Sequence, residues 1–244
     1  MKTLKRLACV VMAVGMVTLL WAPSAMATLL TETENFSGVG TPSLIFDQFD
    51  SSLGTLNAIE LTFSVTSTGG YILFDNDAAT PLTGDASFGA KGTVTASVNM
   101  LEPVTFNPIF ATNTAVTTAT GFTIGAEDGD GATIDTNPAS PDTYLLSGGT
   151  VTANDSGFVN STFWWQYTGA GTFTVTPDVT TFSSTNVSPA PQSSTDPPTL
   201  TGFFRVTYDY TPTGGEPVPE PGTMLLLGVG LIGLAGVSRR RAHK

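Results

Sequence analysis

Apolar and polar residues alternate one by one along several stretches of this chain. Ile59-Glu60-Leu61-Thr62-Phe63-Ser64-Val65 shows the pattern most cleanly, and residues 94–100, 173–175 and 204–210 repeat it. A period of two sends one set of side chains into a core and the other into water, as in a half-buried β-strand. Weaker strands are predicted over residues 29–36, 71–74, 117–124, 149–152 and 159–167. No helical period is sustained between residues 28 and 215. Eight or nine short strands separated by Gly, Asn, Asp and Pro predict an all-β fold. The expected form is an antiparallel β-sandwich, jelly-roll-like, with a β-barrel as the alternative. Residues 183–198 are polar and proline-rich and read as a long exposed excursion. The segment 211–218 reads as a Pro/Gly spacer.

Both ends break the alternation. At the N-terminus Lys2, Lys5 and Arg6 precede an apolar run over residues 7–21, and Ala25-Met26-Ala27 follows. A basic start, an apolar middle and a small-x-small site make a signal peptide over residues 1–27, cut after Ala27 with Ala25 at the other small position. At the C-terminus Pro219-Glu220-Pro221 precedes an uncharged apolar run over residues 222–238, then Arg239, Arg240 and Arg241. As a helix that run would be about 25 Å long, at the short end for crossing a bilayer core. Three arginines behind it favour the cytoplasmic side and act as a stop. The domains expected are therefore a signal peptide (1–27), an all-β extracellular domain (28–215) and a tail (216–244). A signal helix and a C-terminal transmembrane helix flank the fold.

Charge and composition narrow the chemistry. Residues 28–215 hold eighteen acids against two bases, Lys91 and Arg205, for a net charge of −16. Phosphate recognition needs Lys and Arg, so no nucleic-acid partner is expected. The same segment has neither cysteine nor histidine, since Cys9 and His243 lie in the terminal segments. Disulfides, Cys–His and Ser–His–Asp catalysis, and zinc sites built on Cys or His are excluded there. No pair of carboxylates is spaced for glycosidase chemistry, and no enzyme is expected.

The tail resembles the PEP-CTERM sorting signal, carried by the Pro219-Glu220-Pro221 motif, the apolar run and the terminal arginines. The resemblance implies an exosortase-like membrane protease as partner and a transient membrane insertion through the C-terminal helix. It also implies an inner-membrane precursor that ends on the outer surface or in the extracellular matrix of a Gram-negative bacterium, among exopolysaccharide or other surface components. Within the domain, Phe46-Asp47-Gln48-Phe49-Asp50-Ser51-Ser52-Leu53-Gly54-Thr55-Leu56 resembles the opening of the choice-of-anchor E domain. Residues 167–173 and 202–210 are similar to its second half. That family implies an exported domain without assigned catalytic residues. Physically, Phe46, Phe49, Leu53 and Leu56 are suited to plug one end of a sandwich, with Gly54 turning the chain into the next strand.

Two candidate sites remain. Glu127, Asp128, Asp130 and Asp135 form the densest acidic turn, and Asp75, Asp77 and Asp85 a sparser one. Oxygen-rich turns suit Ca²⁺, although Ala132 breaks the EF-hand spacing, and Asp, Asn and Gly are also plain turn formers. Calcium is thus the candidate ion, and no other cofactor is expected. In Phe163-Trp164-Trp165-Gln166-Tyr167, a strand would turn Phe163, Trp165 and Tyr167 to the core and Trp164 outward, or the reverse, and Trp164 is the candidate glycan contact. The role expected is structural or associative in an exopolysaccharide or biofilm layer. The alternative is a glycan-binding or calcium-dependent adhesin.

Overall fold

In the computed structural model, which describes residues 27–129, 131 and 133–213, the alternation at 59–65 becomes the middle of a long strand, β3 (Gly54–Thr68). Ile59, Leu61, Phe63 and Val65 are fully buried, while Glu60 and Thr62 between them are partly exposed. Among the described residues eleven strands form, from Thr28 to Pro212. One sheet has the order β1 (Thr28–Ser37), β11 (Thr199–Pro212), β3 and β8 (Thr150–Phe158). The facing sheet has the order β2 (Leu44–Asp47), β9 (Thr172–Thr185), β5 (Leu82–Ala96) and β6 (Asn113–Ile124). A smaller sheet holds β10 (Gln192–Asp196), β4 (Tyr71–Asp75) and β7 (Thr143–Ser147). The strands pair antiparallel, as in Glu60↔Phe158 to Thr68↔Thr150 and Ala86↔Thr185 to Ala96↔Val175.

The small sheet continues the first one across a crease. β3 runs into β4, β7 into β8 and β10 into β11, and the order β11-β3-β8 is repeated as β10-β4-β7. The breaks are Gly69-Gly70, Gly148-Gly149 and Pro197-Pro198. Gly69 and Gly70 have φ of 68° and 71°, a region that only glycine enters freely. A Cβ on Gly70 would sit 2.6 Å from the Asp196 carbonyl oxygen and 2.7 Å from the Pro198 nitrogen. The Gly69 amide donates to the Gly149 carbonyl and the Gly148 amide to the Gly70 carbonyl, so the crease keeps its ladder partners.

Two cores follow from this bend. The larger lies between the two four-stranded sheets and includes Phe46, Phe49, Leu61, Phe63, Val175, Phe204 and Tyr208. Phe46 stacks on Phe173 at 5.6 Å and meets Phe204 edge-on at 5.5 Å. The smaller core, beyond the crease, joins Ile72, Phe74 and Leu146 to Leu82, Phe88, Phe122 and Ile124. Each such side chain, fully buried, contributes about 1.5–3 kcal/mol by removal from water.

The sequence expectation of an antiparallel sandwich is met at the level of two packed sheets, with several differences of detail. The strand expected over 94–100 stops at Ala96: the Ser97 amide still donates to the Thr174 carbonyl at 2.9 Å, but the Thr174 amide goes to the Ser97 hydroxyl at 3.0 Å and not to a backbone carbonyl. The excursion expected over 183–198 is partly strand: Ser183, Ser184 and Thr185 extend β9, and β10 pairs with β4 from Gln192↔Asp75 to Asp196↔Tyr71. Lys91 stands exposed in the middle of β5, paired with Thr114 and Thr180. Phe46 and Phe49 plug the core as expected, Leu56 packs against it, and Leu53 stays 43% exposed. Residues 1–26 of the signal peptide, the sorting tail with both expected terminal helices, and Asp130 lie outside the described residues. Among the described residues no helix is long and apolar enough to cross a membrane.

Candidate functional site

The acidic turns separated in sequence meet at one end of the small sheet. β4 ends at Asp75, and β7 begins opposite it at Thr143, so Asp142 lies beside Asn76 and accepts its amide at 3.0 Å through the backbone carbonyl. β6 ends at Ile124, and the Gly125 amide donates to the Pro141 carbonyl at 3.0 Å. The chain between, residues 125–142, therefore leaves and returns at the same point. Buried Asn76 locks the entry, donating through Nδ2 to the Gly125 and Thr80 carbonyls and accepting the Ala78 amide on Oδ1. The Glu127 amide adds a bond to the Ala78 carbonyl.

Within this frame Asp128, Asp135 and Asp142 each present a carboxylate oxygen, and the three oxygens lie within 4.8 Å of one another. The Asp128 amide donates to Asp142 Oδ2 at 3.0 Å, and the Ser140 hydroxyl to Asp128 Oδ2 at 2.8 Å. The Asp135 amide donates to Asp75 Oδ2 at 2.7 Å. Asp75 and Asp142 are both 0% exposed, and the Oδ1 atom of each has no hydrogen-bond partner among the described residues. Burial raises the Asp75 pKa above its ordinary value; the amide of Asp135 opposes this, and the charges of Asp142, Asp77 and Asp135 reinforce it. The site thus gathers negative charge without a basic neighbour in sequence. Lys91, the sole base between Asp75 and Asp142, pairs with Thr114, ten strand residues from Ile124, or about 33 Å along the sheet.

The remaining candidates fall elsewhere. Glu127 is exposed and stands outside the trio. Asp77 accepts the Gln192 side-chain amide. Asp85 occupies the bulge between Gly84 and Ala86, where it accepts the Gly121 amide at 2.8 Å and the Asn186 side chain at 2.9 Å. It is a clamp for the bulge.

The aromatic run departs from its expected geometry. Ser161–Gln166 is a 3₁₀ helix, with the Asn160 side chain accepting the Thr162 amide at its start. Three residues per turn remove the strand alternation. Trp164 packs against the larger core, and its indole N–H donates to the Val159 carbonyl at 3.0 Å. Trp165 is the outward ring, 70% exposed. Tyr167 is buried and donates to the Asn99 carbonyl.

A groove that the sequence did not single out crosses the outer face of the first sheet, with a volume of about 670 Å³. Thr62, Thr66, Thr152, Asn154 and Arg205 line it beside the Phe203 ring. The Arg205 guanidinium lies 4.8 Å from the centre of that ring, and its Nε donates to the Thr33 hydroxyl. The alternation itself was the available signal, because it turns Phe203 and Arg205 away from the core.

Residues 217–241 match the PEP-CTERM protein-sorting motif. That match decides the chain's destination. This is an exported protein of a Gram-negative bacterium, sorted to the exterior by exosortase, itself a membrane protein. No curated protein matches the sequence. Among solved structures, a chain of the T13 IBDV viral particle is 12% identical at a TM-score of 0.12, over 81% of this chain and 44% of that one. A chain from the infectious bursal disease virus Gx strain is 12% identical at 0.10, over 84% and 47%. The present chain spans less than half of each, and likeness at this level carries no argument.

Proposed function

We propose that the mature domain is a structural and associative component of an exopolysaccharide or biofilm layer, delivered from an inner-membrane precursor and without catalytic activity. The observation that carries this is the sorting motif at 217–241 behind a β-body of strongly acidic composition. Export delivers the domain to the layer, and its charge keeps it soluble and repels anionic surfaces. The likeness of residues 46–56 to choice-of-anchor E domains agrees with this role. Fractionation of host cells tests it. Wild-type protein is expected with the extracellular polysaccharide, and a chain lacking residues 217–244 outside that fraction. Equal partition of both would overturn the proposal.

A second reading, a glycan-binding adhesin, is favoured by the groove at Phe203. Hydroxyls, an amide and a guanidinium beside one ring are the groups that hydrogen-bond and stack on sugars. Phe203→Ala is expected to abolish retention on host exopolysaccharide, with Trp165→Ala as the comparison. Retention unchanged in Phe203→Ala would remove the groove from consideration.

A further inference from the structure

We propose that Asp128, Asp135 and Asp142 hold one calcium ion at the β6–β7 loop, with Asp75 as the positioning residue that fixes Asp135. The inference goes beyond the matrix role and stands without it, since a domain that fails to enter the polysaccharide can still bind the ion.

Three observations carry it. The first is convergence: three carboxylate oxygens from positions up to fourteen residues apart lie within 4.8 Å of one another. Two oxygens on opposite sides of one Ca²⁺, each at about 2.4 Å, are about 4.8 Å apart. Ca²⁺ accepts irregular oxygen geometry, whereas Mg²⁺ demands a near-ideal octahedron and gives up its waters reluctantly, so an irregular loop site of this kind suits the larger ion. The second is independent of acidity. Asp142 is 0% exposed, yet its Oδ1 has no donor among the described residues, while its Oδ2 already serves the Asp128 amide. A buried carboxylate oxygen without a partner costs free energy unless a cation stands against it. The third is the donor set. All the side-chain ligands are oxygens, which selects a hard cation over zinc or copper.

The strand frame explains why this is a site and not a loose loop. Asp142 is fixed at the start of β7, opposite the end of β4. Asp75, at that end, holds the Asp135 amide at 2.7 Å and so brings the loop's far limb over Asp142. Ser140 holds the Asp128 carboxylate at 2.8 Å from the other side. Calcium would pin residues 125–142 to the small sheet. Exposed on two sides by Asp128 and Asp135, the site can exchange its ion with the medium. An affinity of roughly 10⁻⁴ to 10⁻³ M, that of extracellular modules, is expected.

The test is calorimetric titration of CaCl₂ into processed protein purified from its host and stripped with chelator, with melting curves in parallel. One ion per chain and a melting temperature that rises with calcium are expected, with a much smaller rise from equal MgCl₂. Asp142→Asn and Asp135→Asn should each weaken binding about tenfold or more, while Asp178→Asn, on an exposed position of β9, leaves it unchanged. Should Asp142→Asn fail to fold, Asp135→Asn on the partly exposed loop decides the matter. Absence of saturable binding, or binding untouched by Asp135→Asn, overturns the proposal. An equal response to magnesium overturns the choice of calcium.

Discussion

The Asp135 amide donates to Asp75 Oδ2 at 2.7 Å, across sixty residues of chain. One oxygen of a fully buried carboxylate thus orders a loop limb, and the other is left without a donor among the described residues. In chelator the Asp75 charge is a burden on the fold, because burial and its acidic neighbours disfavour it. Asp75→Asn keeps an oxygen for the Asp135 amide and removes the charge. Melting in EDTA should show the variant more stable by about 1 kcal/mol, with a smaller gain on adding calcium than the wild type. A variant less stable in EDTA would mean the carboxylate is satisfied in a way this geometry does not provide.

The crease between the two sheets depends on glycine. Gly70 combines a φ of 71° with backbone atoms closer than 3 Å to any added Cβ, whereas Gly121, at 62°, faces open space. Gly70→Ala should therefore cost roughly 2–4 kcal/mol and Gly121→Ala only about 1 kcal/mol, as read by urea unfolding. Equal costs would show that the clash at the crease relaxes freely.

Two tyrosines are held by the core in their protonated form. Burial raises the Tyr167 pKa; for Tyr208, burial leads, and Glu32, Tyr167 and Asp47 add to it. Their hydroxyls donate to the Asn99 and Asp47 carbonyls, each at 2.9 Å. Folding therefore favours the protonated phenol, and the stability this gives is full below the unfolded-state pKa near 10 and is lost as pH rises above it. Ultraviolet titration should show that two of the five tyrosines resist ionisation until the chain unfolds. Titration of all five together near pH 10 in the folded chain would contradict this.

Phe49 and Leu53 separate what the sequence motif suggested as a common plug. Phe49 is 1% exposed and packs on Tyr208 and Tyr210, while Leu53 is 43% exposed. Phe49→Ala should cost about 3–5 kcal/mol and Leu53→Ala under about 1 kcal/mol in the same unfolding assay. Similar losses would mean that Leu53 closes the core after all.

Alternation made the central strands legible. β3 buries Ile59, Leu61, Phe63 and Val65 in alternation and β11 buries Phe204, Val206 and Tyr208, so 59–65 and 204–210 could be read directly. β10 could not, because Gln192-Ser193-Ser194-Thr195-Asp196 buries no residue and is a strand only through its pairing with β4. The aromatic run 163–167 looked like a strand because its residues favour one, but the Asn160 cap starts a 3₁₀ turn instead. Asn before Ser-Thr was the signal for it. The acidic site was half legible. Asp128 and Asp135 stood out locally, whereas Asp75 and Asp142 join them only once β4 pairs with β7, a relation that no local window contains.

Delivery of a freed domain to the outer layer is tested most directly by intact and C-terminal peptide mass spectrometry of the protein from the host's extracellular polysaccharide fraction. A chain beginning at Thr28 and ending near Pro219 is the expected result. A chain there that still carries Met224 through Lys244 would contradict it and make the protein a permanently anchored ectodomain.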